Sequence, residues 1–157
     1  MIRRAVIVAA KRTPIAKSYK GAFNNTYGPD LGAMSLQAVV AQANIDPGEI
    51  EEVVMGCAMP QGATGFNIAR LSVLRAGFPF SVSGMTIERQ CSSGLMAVAA
   101  AANYILNDDG KVTIGAGLES VSLVQNKNFN RFMSRDPWLL ENLPKAWMPM
   151  TETAELV

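Results

Sequence analysis

The segment Ser92–Leu106, SSGLMAVAAAANYIL, is apolar almost all the way round. A helix with one apolar stripe needs one packing partner, but a helix without a polar face has to be covered on every side. Layers of structure are therefore expected above and below it. The small side chains of Ala97 and of Ala99 to Ala102 permit a close approach by those neighbours.

The rest of the chain supplies candidates for the layers. Ala5 to Ala10 reads as a buried first strand, and Pro14 to Asp30 as a loop. From Leu31 to Ile45 apolar residues recur at three- and four-residue steps, which marks a helix face, with Asp30 placed to cap its start and Asp46-Pro47-Gly48 to end it. Val53 to Met59 is a second strand candidate, Asn67 to Ala76 a helix stopped by Gly77, and Met85 to Gln90 a third strand. The helix from Ser92 ends at the NDDG of Asn107 to Gly110, and Val112 to Gly117 is a fourth strand. Strand–helix alternation of this kind predicts an α/β fold on a largely parallel sheet. After Ser122 the periodicity fades among amides, charges and prolines, so residues 123–157 read as an excursion outside the sheet. Trp138 and Trp147 fall there and are expected to pack it onto the body or a partner.

Fourteen Lys and Arg against thirteen Asp and Glu leave a net charge of +1, so no electrostatic footprint for nucleic acid is present. No apolar stretch is long enough to span a membrane, and a cytoplasmic protein is expected. The chain has two cysteines, Cys57 and Cys91, and no histidine. The usual Cys/His metal sites are thereby excluded, and a Cys57–Cys91 disulfide is the structural alternative to two free thiols. The GAG of Gly115 to Gly117 fails as a dinucleotide fingerprint, because Ser120 stands where the third glycine belongs and no helix is expected to follow.

Cys91 is the candidate for a nucleophile. It sits where a strand turns into the long apolar helix, and unpaired N–H groups at a helix start stabilise a thiolate. Ser92 or Ser93 can cap that helix, and Gly94 admits a ligand closely. The bland alternative is a buried structural cysteine beside an ordinary serine cap.

Six stretches, RTPIAKSYKGAF, IDPGEIEEVVMG, GFNIARLSVLRAGFP, TIERQCSSGLMA, GAGLESVS and MPMTETAELV, together resemble the N-terminal half of the thiolases, acyltransferases that make or cleave 3-ketoacyl-CoA. The resemblance implies a layered α-β-α fold with a mixed, mostly parallel sheet that is incomplete in this chain. It implies an N-terminal α/β domain over residues 1–122 and the start of a loop domain over 123–157, with the C-terminal half absent. On the same ground Cys91 is expected to accept the acyl group, with its backbone N–H helping to hold the thioester oxyanion, and Met150 to lie near the acyl and pantetheine end. Coenzyme A thioesters are expected as substrates in fatty acid metabolism, such as β-oxidation, with no tightly bound cofactor or metal. A homo-oligomer, dimer or tetramer, is expected through the Met85 to Gln90 strand. The chain departs from the family pattern at Glu88, where asparagine is usual, and at Thr151, where glycine is usual.

The family's second half supplies a histidine that activates the cysteine and a second cysteine that acts as acid and base. Neither is in this chain, and Glu119 is the only acid expected near Cys91. The lone chain is therefore expected to be inactive. Three readings follow: a thiolase fragment, one subunit of a split thiolase whose partner chain brings the histidine, and a non-catalytic module that uses the fold for association.

Overall fold

Gly28, Pro29 and Asp30 open the first helix of the computed structural model, which describes residues 3–107 and 110–157. Helix α1 runs Gly28–Ala43, three residues earlier than its apolar period suggests, because Pro29 suits a first turn whose N–H groups have no helical partner. Tyr27 holds the cap position, so Asp30 is not the cap. Its carboxylate accepts from Arg75 Nε at 2.5 Å. The helix ends at Asn44, which takes a left-handed φ of 53° and returns its N–H to the Val40 carbonyl. Asp46 and Glu49 then form a capping box around a single 3₁₀ turn.

Three strands follow, β1 Glu52–Gly56, β2 Ser83–Ile87 and β3 Thr113–Gly117, with helix α2 (Ile68–Arg75) and helix α3 (Ser93–Leu106) between them. The sheet order is β2-β1-β3, and every pairing among the described residues is parallel, with Val54 opposite both Met85 and Gly115. Side chains alternate across the sheet. Val53 and Met55 join the main core with Leu36, Val40, Ile68 and Val73 from α1 and α2. Val54 points the other way, onto Ala97 and Ala101 of α3. The layers are thus α1 and α2, sheet, and α3, an incomplete form of the expected α-β-α arrangement.

Expectations for the strands and for α3 change as well. Ala5 to Ala10 forms no strand, and Val6, Ile7 and Val8 are 71%, 81% and 77% exposed. Both sides of β1 are taken, and a cavity of about 600 Å³ separates residues 5–13 from β3, walled by α1 at Leu36 and Val39 and by α3 at Val98 and Ala101. The segment therefore has no neighbour to pair with. Helix α3 is not covered on all sides: Leu95 is 74% exposed, and among the described residues the helix packs chiefly against the sheet. Strand β2 lies two residues earlier than its pattern suggests, which places Glu88 to Gln90 in a turn, and β1 stops at Gly56, short of Met59. Of the NDDG expected to end α3, Asp108 and Asp109 lie outside the described residues.

Residues after β3 form three short helices, α4 Val121–Val124, α5 Pro137–Asn142 and α6 Met150–Glu155. The turn of α4 follows Gly117 where no helix was expected. Tyr19 staples the N-terminal loop to this region, its hydroxyl donating to the Gln125 carbonyl at 2.7 Å and its N–H to Ser122 Oγ at 2.8 Å. Trp138 does not pack onto the body, being 61% exposed, and Trp147 lies under the Arg135 guanidinium at 5.9 Å. Among the described residues no helix is long and apolar enough to cross a membrane.

Candidate active site

Strand β2 ends at Ile87 and α3 begins at Ser93, so five residues reverse the chain. Gln90 makes the reversal with a φ of 49°. That left-handed conformation costs a residue with a Cβ roughly 1–2 kcal/mol, and the surroundings have to hold it. They do so from both sides. The Gln90 N–H donates to Glu88 Oε1 at 2.5 Å, and the Gln90 carbonyl accepts from Ser93 Oγ at 2.6 Å. Ser93 Oγ also accepts the Arg89 N–H at 2.8 Å, and Ser92 Oγ donates to the Arg89 carbonyl at 2.8 Å. Both serines thus tie the turn, and Ser92, at the cap position, makes no side-chain cap bond to the helix.

The corner is also pinned from beneath. A Cβ on Gly56 would come within 2.2–2.4 Å of the backbone of Ser93 and Gly94, so only glycine lets the end of β1 meet the head of α3. Gly115 admits the middle of the same helix, where a Cβ would meet Val98 Cα at 2.6 Å. Cys91 is left free and exposed, just ahead of a 14-residue helix. The thiol is thus accessible and lies next to the positive end of a helix.

Cys57 is its opposite. It is 1% exposed and free, so the two cysteines form no disulfide. Burial pushes its thiol above the usual range, and the negative charge of Glu119 adds to that. Glu119 Oε1 lies 3.8 Å from Cys57 Sγ, and Oε2 accepts the Ala58 N–H at 2.7 Å. The structure thus bonds Glu119 to Cys57 and its neighbour. Met150, the other candidate, opens α6 with its side chain 81% exposed, so nothing buries it against the exposed Cys91. Two contacts escaped the sequence reading. Glu88 as an acceptor could have been found from its spacing, two residues before the amide it holds, as in short polar turns. The Cys57–Glu119 pair spans 62 positions and leaves no local signal.

A parallel sheet with helices on both faces and a free cysteine at a strand-to-helix corner defines an α/β domain built around that corner. The family model described as "Thiolase, N-terminal domain" matches residues 5–151. The chain belongs to the thiolase family. It is 35% identical over 156 residues to a 3-ketoacyl-CoA thiolase of Bacillus subtilis (strain 168), covering 99% of this chain and 39% of that protein. It is 44% identical over 117 residues to the peroxisomal 3-ketoacyl-CoA thiolase 2 of Arabidopsis thaliana, covering 74% of this chain and 25% of that one. Among solved structures, the acetyl-CoA acetyltransferase of Bacillus anthracis superposes with a TM-score of 0.72 at 38% identity, over 77% of this chain and 30% of the other. The chain therefore spans well under half the length of these relatives.

Proposed function

We propose that this chain carries the nucleophile of a thiolase-type acyltransferase acting on acyl-CoA, and that Cys91 is that nucleophile. The carrying observation is the exposed, free thiol of Cys91 at the amino end of α3. In thiolytic cleavage the Cys91 thiolate adds to the 3-keto carbon of a 3-ketoacyl-CoA. The bond between carbons 2 and 3 then breaks, the acetyl-CoA fragment leaves as a carbanion that takes up a proton, and the acyl group stays on sulfur. Free CoA, giving up its proton, attacks the acyl-cysteine and restores the thiol. Backbone N–H groups at the helix head are suited to hold the oxyanion that forms on each carbonyl oxygen. Met150 is assigned to the acyl and pantetheine end. Coenzyme A thioesters enter as substrates, and no tightly held cofactor is required.

Two proton transfers in this cycle need an acid and a base. The chain has no histidine, and its second cysteine is buried at Cys57 beside Glu119. General acid–base help is worth about 10²–10⁴-fold. The lone chain is accordingly inactive, and a second polypeptide equivalent to the rest of a thiolase completes it. Self-association through β2 is part of the same reading. β2 is an edge strand with Met85 45%, Phe66 93% and Phe80 86% exposed nearby, and such an edge is a pairing template.

The test is acetoacetyl-CoA cleavage with free CoA, followed at the enolate absorbance. The chain alone gives no turnover. The chain mixed with the C-terminal part of the Bacillus subtilis relative gives turnover that Cys91→Ala abolishes. Turnover by the lone chain would disprove the missing-base account, and restored activity that survives Cys91→Ala would disprove the nucleophile.

A further inference from the structure

The turn before Cys91 has an unusual construction. Gln90 adopts a left-handed φ of 49° without being glycine. Of the hydrogen bonds that hold its two flanking peptide groups, four come from serine hydroxyls or the main chain, and one comes from a carboxylate. That one is Glu88 Oε1, which accepts the Gln90 N–H at 2.5 Å. A hydrogen bond to an ionised acceptor is stronger than one between neutral groups. Glu88 itself is exposed, so it contributes little packing to the fold. Its contact is with the peptide whose rotation decides where the next residue points.

We propose that Glu88 is a positioning residue for Cys91: its carboxylate clamps the Gln90 amide, holds the left-handed turn, and so keeps the thiol at the amino end of α3. This deepens the nucleophile reading of Cys91 and rests on it. Without the acceptor, Gln90 relaxes toward negative φ, which a residue with a Cβ prefers. Cys91 then swings off the helix head and away from its positive end.

The experiment labels the full chain with iodoacetamide at pH 8 and reads Cys91 and Cys57 separately by peptide mass spectrometry. Glu88→Gln keeps the acceptor and removes the charge, whereas Glu88→Ala removes both, so comparing the two isolates the hydrogen bond. We expect Cys91 to label about three- to tenfold more slowly in Glu88→Ala than in Glu88→Gln, the range set by the loss of a helix-end interaction. Adding Gln90→Gly should return the Ala variant to the Gln level, since glycine holds a left-handed φ without a clamp. Cys57 should stay slow throughout, and fast labelling there identifies a variant that has opened. If Glu88→Ala opens, the comparison is repeated on Gln90→Gly, where adding Glu88→Ala should leave the Cys91 rate within twofold. Equal rates in Glu88→Ala and Glu88→Gln, failure of Gln90→Gly to rescue, or a threefold loss on the Gln90→Gly background would each overturn the proposal. A wild-type Cys91 no faster than N-acetylcysteine would instead tell against the activated thiol, and leave the ratio between variants to decide the role of Glu88.

Discussion

Cys57 shows how the surroundings of a side chain set its chemistry. Its thiol is 1% exposed and faces the Glu119 carboxylate, and both conditions disfavour the thiolate. The folded pKa is raised above that of the unfolded chain, where a thiol ionises at about 8.5. Below that pH both states hold the proton, and the contribution of Cys57 to stability is fully present. Above it the unfolded chain releases the proton while the folded chain retains it, so stability falls as pH rises. The free-energy gap between wild type and Cys57→Ala, read from urea unfolding, should therefore narrow between pH 8 and pH 10.5. A constant gap would show that the buried thiol ionises as easily as a free one. Cys91 shares the residue type and none of these surroundings, being free and exposed.

At the scale of elements, the decisive contact joins the end of β1 to the head of α3. Gly56 leaves no room for a methyl group against the Ser93 and Gly94 backbone. Backbone on both sides cannot rotate away as a side chain can, so Gly56→Ala should cost about 3 kcal/mol or more. It should also slow Cys91 labelling by displacing the turn. Gly94 is the matched control. A Cβ there meets nothing within 4 Å, and the residue already lies in a helix. Gly94→Ala should be neutral or stabilise by up to about 1 kcal/mol, chiefly by narrowing the unfolded ensemble. Urea midpoints for the two variants test both statements, and equal losses would show that the close approach is not what glycine serves at position 56. A second element-level feature is the displacement of β2 toward the N-terminus. It frees Glu88, Arg89 and Gln90 to build the corner, which a strand running to Gln90 would have kept extended.

Over the whole molecule, the sheet among the described residues has three strands while apolar residues remain without a place. Val6, Ile7 and Val8 face solvent, and a cavity of about 600 Å³ lies between their segment and the free edge of β3. Five residues of strand, at about 3.3 Å rise, 4.8 Å between neighbours and 10 Å between layers, fill on the order of 800 Å³. The gap is thus of strand size. In the chain alone, amides 5–10 should exchange hydrogen about as fast as in an unstructured peptide, while those of Val53 to Met55 exchange at the rate of global unfolding. Protection of both segments alike would show that the run pairs with the sheet in solution. The same openness explains the outer face of α3, with Leu95, Val98 and Leu106 exposed on a helix of almost wholly apolar sequence.

The sequence by itself determined the order of elements from α1 to β3, the corner at Cys91 and the family. Each of these rests on information local to a stretch of chain: a 3.6-residue period, a proline at a helix start, a glycine at its end, or a motif of a dozen residues. It also implied that the sheet would be unfinished, since its motifs cover only one half of a thiolase. What only the tertiary structure decided is which apolar run becomes a strand and which polar groups meet. Ala5 to Ala10 has the composition of a strand and is not one, because a strand exists only through hydrogen bonds to a neighbour and none adjoins it. The apolar sides of α3 called for two covering layers, but burial depends on what else is present, and among the described residues the helix packs chiefly against the sheet. Glu119 was expected beside one cysteine and lies beside the other, because parallel register brings the ends of β1 and β3 together across 62 residues. No local pattern encodes that distance. It follows from how the strands align, and the alignment is a property of the assembled fold.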